Sequence, residues 1–224
     1  MTGGLLMYLE IKNLSKSISG KSILEHIDLA MDRGRIYGLR GKNGSGKTML
    51  MRSICGLILP MEGTICINGE ILHKDISFPR SIGALIENPG FIAEYSGFKN
   101  LSTLASIKKA VTTEEIRSLM QKMELDPDDK KKFKKYSLGM KQKIGIIAAI
   151  MEQPELIVLD EPINALDEKS VNIVKELLLE QRKRGALIII SCHDKEELEF
   201  LADEVFCLEN GKVIDRYLVK NEDV

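Results

Sequence analysis

The chain has 224 residues, enough for one α/β unit with a full buried core. Hydrophobic residues make up 44% and charged residues 29%, and a formal net charge of −1 gives no global attraction to nucleic acid or anionic lipid, so any partner must be recognised locally. Cys55, Cys66, Cys192 and Cys207 stand far apart with no C-x-x-C pair, which argues against a zinc site or a disulfide framework and fits a reducing cytoplasm.

Residues 8–14, with Leu9 and Ile11 at alternate positions, predict a half-exposed strand, and residues 23–31 a second one ending at Asp32-Arg33-Gly34, an antiparallel start. Residues 35–40 read as a short buried strand that runs straight into GKNGSGKT, a match to the phosphate-binding pattern G-x-x-x-x-G-K-[ST]. Gly41, Gly44 and Gly46 let this loop turn tightly. The backbone N–H groups from Gly41 through Lys42, Asn43, Gly44, Ser45 and Gly46 then point at an anion, with the positive end of the following helix (49–59) behind them. Lys47 reaches for terminal phosphates and Thr48 for a magnesium ion, so the loop predicts binding of a nucleoside phosphate.

Pro60 and Gly63 punctuate the chain before short strands at 64–68 and 82–87. From 95 to 151 the periodicity turns helical, with Leu101, Leu104 and Ile107 at three-residue spacing and Ile116, Leu119, Met120 and Met123 at three and four. Thr112 and Glu115 form a capping-box pattern opening the second of these helices. Pro154 ends the stretch, and 155–159 is a continuous apolar strand of the kind buried on both faces in a parallel sheet. A helix at 169–184, a strand at 186–191, a helix at 195–201 and strands at 204–208 and 213–217 follow, the last two joined by a tight turn carrying Asn210-Gly211. The apolar runs near 144–151 and 186–192 fall well short of the roughly 20 residues that span a bilayer. The first residues lack a basic-then-apolar signal pattern, so membrane association is expected only through another protein.

The strand Leu156-Ile157-Val158-Leu159 ends in Asp160 and Glu161, at the sheet edge where α/β folds bind ligands. Asp160 is suited to hold magnesium through a water, and Glu161, one step further out, to orient or deprotonate an attacking water. His193 follows another strand at the same edge, from which it can donate a hydrogen bond to a terminal phosphate as charge builds there; a purely structural histidine is the alternative.

These parts, in this order, resemble the nucleotide-binding subunit of ATP-binding cassette (ABC) transporters over essentially the whole chain. Tyr136-Ser137-Leu138-Gly139-Met140-Lys141-Gln142 looks like the family's signature loop, L-S-G-G-Q, with Ser137 and Gly139 on the matching serine and second glycine, and Leu138 and Met140 in place of glycine and glutamine. Asn164-Ala165-Leu166-Asp167 matches the loop after the catalytic strand, and His193 the switch histidine. The resemblance implies a P-loop NTPase (RecA-like) α/β core with an N-terminal antiparallel β subdomain and an inserted α-helical subdomain. The core would span 1–86 and 154–224, and the insert about 88–153. It also implies ATP and Mg2+ as ligands. Ser137 and Gly139 would cover the γ-phosphate held by another subunit, either a second copy or a related chain, and separate membrane-spanning permease subunits would place the protein on the inner face of the cell membrane.

Two departures stand out. The family's usual glutamine between core and helical insert is Glu87, in Ile86-Glu87-Asn88-Pro89-Gly90-Phe91; it can still coordinate magnesium through oxygen but adds a negative charge. That wording, with the YSLGMKQ form of the signature, resembles the subgroup that exports bacitracin-like and lantibiotic peptides. Ile18 stands where an aromatic ring usually stacks on adenine, with Tyr8 the nearest aromatic alternative. The lysine-rich stretch 126–135 mixes acids and bases with little stacking surface, so a solvated loop is expected and no nucleic-acid partner. A soluble cassette ATPase acting on DNA, ribosomes or protein assemblies is the alternative class. A GTP switch would require an N-K-x-D segment, which the sequence lacks.

Overall fold

A computed structural model describes residues 7–87 and 89–219, so the expectation about the first residues, and the wording at Asn88, lie outside the described residues. The chain begins with β1 (Leu9–Ile18), β2 (Lys21–Met31), β3 (Arg35–Arg40), α1 (Lys47–Ile54), β4 (Glu62–Ile67), β5 (Glu70–Ile71) and β6 (Ile82–Leu85). Three helices follow, α2 (Gly97–Lys108), α3 (Thr113–Lys122) and α4 (Leu138–Ile150). The chain closes with β7 (Leu156–Leu159), α5 (Glu168–Lys183), β8 (Leu187–Cys192), α6 (Lys195–Leu201), β9 (Glu204–Glu209) and β10 (Lys212–Leu218).

Two sheets result. An antiparallel one has the order β2-β1-β4-β5, and a six-stranded one the order β10-β9-β3-β8-β7-β6, in which β10 alone runs antiparallel. The continuous apolar runs predicted for β7 and β8 are explained by burial on both faces. Alternate residues divide between two cores: Ile36, Ile157, Leu159, Ile188, Ile190 and Val205 face α2 to α6. Tyr37, Leu39, Leu156, Val158, Leu187 and Ile189 face α1 and the antiparallel sheet. This is the P-loop NTPase arrangement expected, with the phosphate loop emerging from the centre of the parallel sheet. Among the described residues no helix is long and apolar enough to cross a membrane.

Local chemistry explains most boundaries. Thr112 accepts from the Glu115 amide at 3.2 Å while the Glu115 carboxylate accepts from the Thr112 amide at 2.7 Å, the reciprocal capping box read from the sequence. The helix α1 stops earlier than residue 59, because Gly56 takes a left-handed φ of +75° directly after its cap. On α2, Leu101 and Ala105 form the buried stripe, whereas Leu104 and Ile107 are 37% and 75% exposed. Their three-residue spacing marks a helix, but they sit on a face turned to an open cleft.

The helix α4 lies against β6 and β7 at Gly83, where an added Cβ would stand 1.7 Å from the Ala149 carbonyl oxygen. Only a bare backbone permits that approach. Gly83→Ala should therefore destabilise the fold by about 1–3 kcal/mol as the helix is pushed off the sheet, read as a lowered midpoint in urea unfolding; an unchanged midpoint would show that α4 is not seated there.

Candidate functional site

The phosphate loop follows β3, and Gly46 caps α1 at φ +108°, a value that strains any other residue. Buried Lys47 donates its ammonium to the carbonyl oxygens of Gly41 at 2.6 Å and Lys42 at 3.3 Å, spanning the loop from inside. Burial pushes this ammonium below its ordinary pKa, and the nearby Glu161 and Asp160 carboxylates pull it back up, so the loop holds a cation over an acidic strand end. A cavity of about 460 Å3 opens beside it, lined by Lys21, Ser22 and Ile23, the loop from Asn43 to Met49, Glu161 and the Asn210-Gly211 turn.

Asp160, 8% exposed at the end of β7, accepts a hydrogen bond from Thr48 Oγ1 at 2.8 Å and another from Ser191 Oγ at 2.5 Å. Ser191 Oγ in turn accepts from the Glu161 amide at 2.9 Å. The Glu161 side chain meets His193 Nε2, and Asn164 Nδ2 donates to it at 3.3 Å. Glu161 itself sits at φ +50°, a turn that lifts its carboxylate off the strand line. The helix α4 is tied in through Gln142, whose Nε2 donates to the Glu161 and Pro162 carbonyls at 2.9 and 3.1 Å.

Lys47, Thr48, Asp160, Glu161 and His193 are thus brought together at one edge of the sheet. Glu87 lines the same small cavity as Thr48, Asp160 and Glu161, with its carboxylate 2.8 Å from Arg52. Ser137 and Gly139 are not part of this group. Neither lines the cavity beside the phosphate loop, and Ser137 Oγ caps α4 by accepting from the Met140 amide at 3.2 Å. Within the signature segment it is Leu138 and Gln142 that line the small cavity of Thr48, Asp160 and Glu161, while Ser137 is exposed.

Ile18, 46% exposed, pairs with Lys21 beside the turn and does not line the cavity, whose wall is instead Lys21, Ser22 and Ile23. Tyr8 is buried, its hydroxyl on Glu155 at 3.3 Å and its ring under the Arg33 guanidinium, so it is unavailable to a base. In the lysine-rich stretch, Lys132 and Lys134 pair with Glu94 at 2.6 and 2.5 Å; these contacts hold the Glu94 carboxyl down at about 2. The thiol of Cys192, next to His193, is pushed up to about 11 by burial and stays protonated at neutral pH.

Sequence reasoning missed Ser191 and Arg52. A signal for Ser191 was present: a hydroxyl at the end of an otherwise apolar, doubly buried strand must find a partner. Nothing local marks Arg52, because its partner is remote in sequence.

Fold and strand-edge constellation together define a P-loop nucleotide-binding cassette. The ABC transporter family model matches residues 24–164, and the chain belongs to that family as an ATP-binding, ATP-hydrolysing transporter subunit. It is 46% identical over 205 residues to the uncharacterized ABC transporter ATP-binding protein YybJ of Bacillus subtilis, covering 92% of this chain and 94% of that one. The bacitracin transport ATP-binding protein BcrA of Enterococcus faecalis is 35% identical, with 92% and 68% covered, and the lantibiotic transport ATP-binding protein SrtF of Streptococcus pyogenes 34% identical, with 92% and 89% covered. A solved ATP-binding subunit of an ABC transporter superposes with a TM-score of 0.85 at 29% identity, covering 95% of this chain and 90% of that one.

Ser191 holds both carboxylate positions at once. Ser191→Ala should cost about 1–3 kcal/mol of stability by leaving Asp160 and the Glu161 amide short of a partner, and should reduce ATP turnover more than ATP affinity. Calorimetric nucleotide binding beside steady-state hydrolysis checks this, and a purely stabilising role would leave turnover per folded molecule unchanged.

Proposed function

We propose that the loop from Gly41 to Thr48 grips the phosphates of ATP, and that Thr48, Asp160 and Glu87 hold Mg2+ directly or through water. The donors are all oxygens. Oxygen donors suit a hard divalent ion that takes its remaining ligands from phosphate and water. Bound there, the ion would neutralise charge on the terminal phosphates. Lys47 binds the same phosphates as a point charge, Glu161 orients and deprotonates the attacking water, and His193, in contact with Glu161, donates to the terminal phosphate. The observation that carries this reading is the convergence of Thr48, Asp160, Ser191, Glu161 and His193 on one sheet edge beside the phosphate loop.

The separation of Ser137 and Gly139 from the chain's own loop supports a head-to-tail dimer in which each subunit covers the other's nucleotide. A helix N-terminus such as that of α4 is a suitable anion partner for a γ-phosphate. The permease is received at a cleft of about 420 Å3 between β6 and the helices, where Phe91, Leu104 and Ile107 present apolar surface beside the Lys108–Glu152 ion pair at 3.2 Å. This docking would hold the protein on the inner face of the cell membrane. The naming of BcrA and SrtF supports export of bacitracin-like or lantibiotic peptides as the transport task.

Glu161→Gln should keep ATP affinity within about threefold while lowering turnover by about 100-fold or more, the usual contribution of a general base. It should also accumulate as an ATP-dependent dimer in light scattering; near-native hydrolysis would remove Glu161 from that role. Isolation of the native protein from membranes should recover a polytopic permease, and recovery of ribosomes or DNA alone would instead support the soluble alternative.

A further inference from the structure

Glu87, Asp160 and Glu161 crowd one cavity of about 270 Å3, whose other walls are Thr48, Leu138, Gln142 and Asn164. None of those lining residues is a cation, so each carboxylate relies on polar groups of the wall or on side chains outside it. Asp160 takes hydrogen bonds from Thr48 and Ser191, and Glu161 meets His193. For Glu87 the counterweight is Arg52, whose guanidinium lies 2.8 Å from the carboxylate.

Arg52 stands four residues after Thr48 on α1, and therefore on the same helix face, one turn further along. The pair joins α1 to the segment leaving β6. At that point Glu87 takes φ +58°, turning the chain so that its side chain lies back against the helix. Both partners are partly open to solvent, at 36% and 57% exposure, so the bond is weak enough to be displaced. Two cations drawn to one carboxylate weaken one another, because each meets both the other's repulsion and a charge already partly neutralised.

We propose that Arg52 and the nucleotide-bound magnesium compete for the Glu87 carboxylate, making Arg52 a positioning residue that sets how readily the metal recruits the segment after β6. This rests on the reading of Glu87 as a metal ligand. Arg52 touches neither phosphate nor metal in this scheme and acts only through Glu87.

The test is Mn2+ binding, followed by electron paramagnetic resonance, to the full chain with a non-hydrolysable ATP analogue at low salt. Arg52→Gln should tighten Mn2+ about threefold, as expected for removal of a competing partly exposed ion pair, and Arg52→Lys should remain close to wild type. Glu87→Gln alone should weaken Mn2+, and in that background Arg52→Gln should change nothing. In the nucleotide-free protein, Arg52→Gln should speed amide hydrogen exchange at residues 85–87. If Arg52→Gln tightens Mn2+ equally in the Glu87→Gln background, Arg52 acts as a general charge and the competition is overturned. If Glu87→Gln weakens Mn2+ but Arg52→Gln leaves both affinity and exchange unchanged, the metal role stands and the competition falls. If Glu87→Gln has no effect on Mn2+, both fall together. Far-ultraviolet circular dichroism and urea midpoints confirm that each variant is folded.

Discussion

The Asp160 carboxylate is the constraint around which this molecule is arranged. A charged group 8% exposed at the end of an apolar strand is costly unless partnered. Its partners come from elsewhere in the chain: Thr48, 112 positions away on α1, and Ser191, 31 positions away on β8. Satisfying Asp160 thus fixes where α1 docks and where β8 ends relative to β7. Once those are set, Lys47 beside Thr48 and Glu161 beside Asp160 have little freedom. The groups proposed to handle phosphate and water are placed by the same hydrogen bonds that make the buried charge tolerable.

The signature segment is bound to this arrangement from the other side. Gln142 on α4 donates to two carbonyls just past Asp160, and Gly139 lies so close to Ala165 that an added Cβ would stand 2.8 Å from its carbonyl oxygen. Ser137 meanwhile presents the start of the same helix outward. A ligand of a neighbouring subunit touching that helix start would therefore press on an element whose next turn holds the backbone of Glu161. The proposed trans contact and the Glu161 backbone are thus joined through one helix, which would give closure of a dimer a short physical route to the carboxylate proposed for hydrolysis.

Much of this was legible in the sequence, and the reasons differ by element. The phosphate loop reads directly because its chemistry is local: glycines for the turn, lysine and threonine at fixed offsets. The strand β7 reads as parallel and buried because both its faces are apolar, β8 as a further strand of the alternating α/β pattern, and the capping box at Thr112 because it spans only three residues. What was not legible depends on long-range pairing. The two-residue β5 exists only as an edge to β4, and β1 runs on to Ile18 because β2 pairs with it there. The exposure of Leu104 and Ile107 was hidden because apolar spacing records a helix and not which of its faces is covered. Ile18 stands exposed at the end of β1, while Lys21, Ser22 and Ile23 of the same hairpin line the cavity beside the phosphate loop, a division that only the pairing of β1 with β2 decides.

The most economical feature of the fold is the stretch between β6 and α2. Ile86 and Pro89 line the cleft proposed for the permease, while Glu87, between them, lines the cavity of Thr48, Asp160 and Glu161. Glu87 takes a positive φ at this point in the segment. A change in the charge facing Glu87 need not travel through the core to be felt at the cleft, because the two surfaces are one residue apart in the chain. Coupling requires an element with two arrangements that both ligands bias. A carboxylate with one cation on α1 and a second arriving with nucleotide would, on the proposal made above, supply such an element, and its displacement would move the wall against which the permease is proposed to rest.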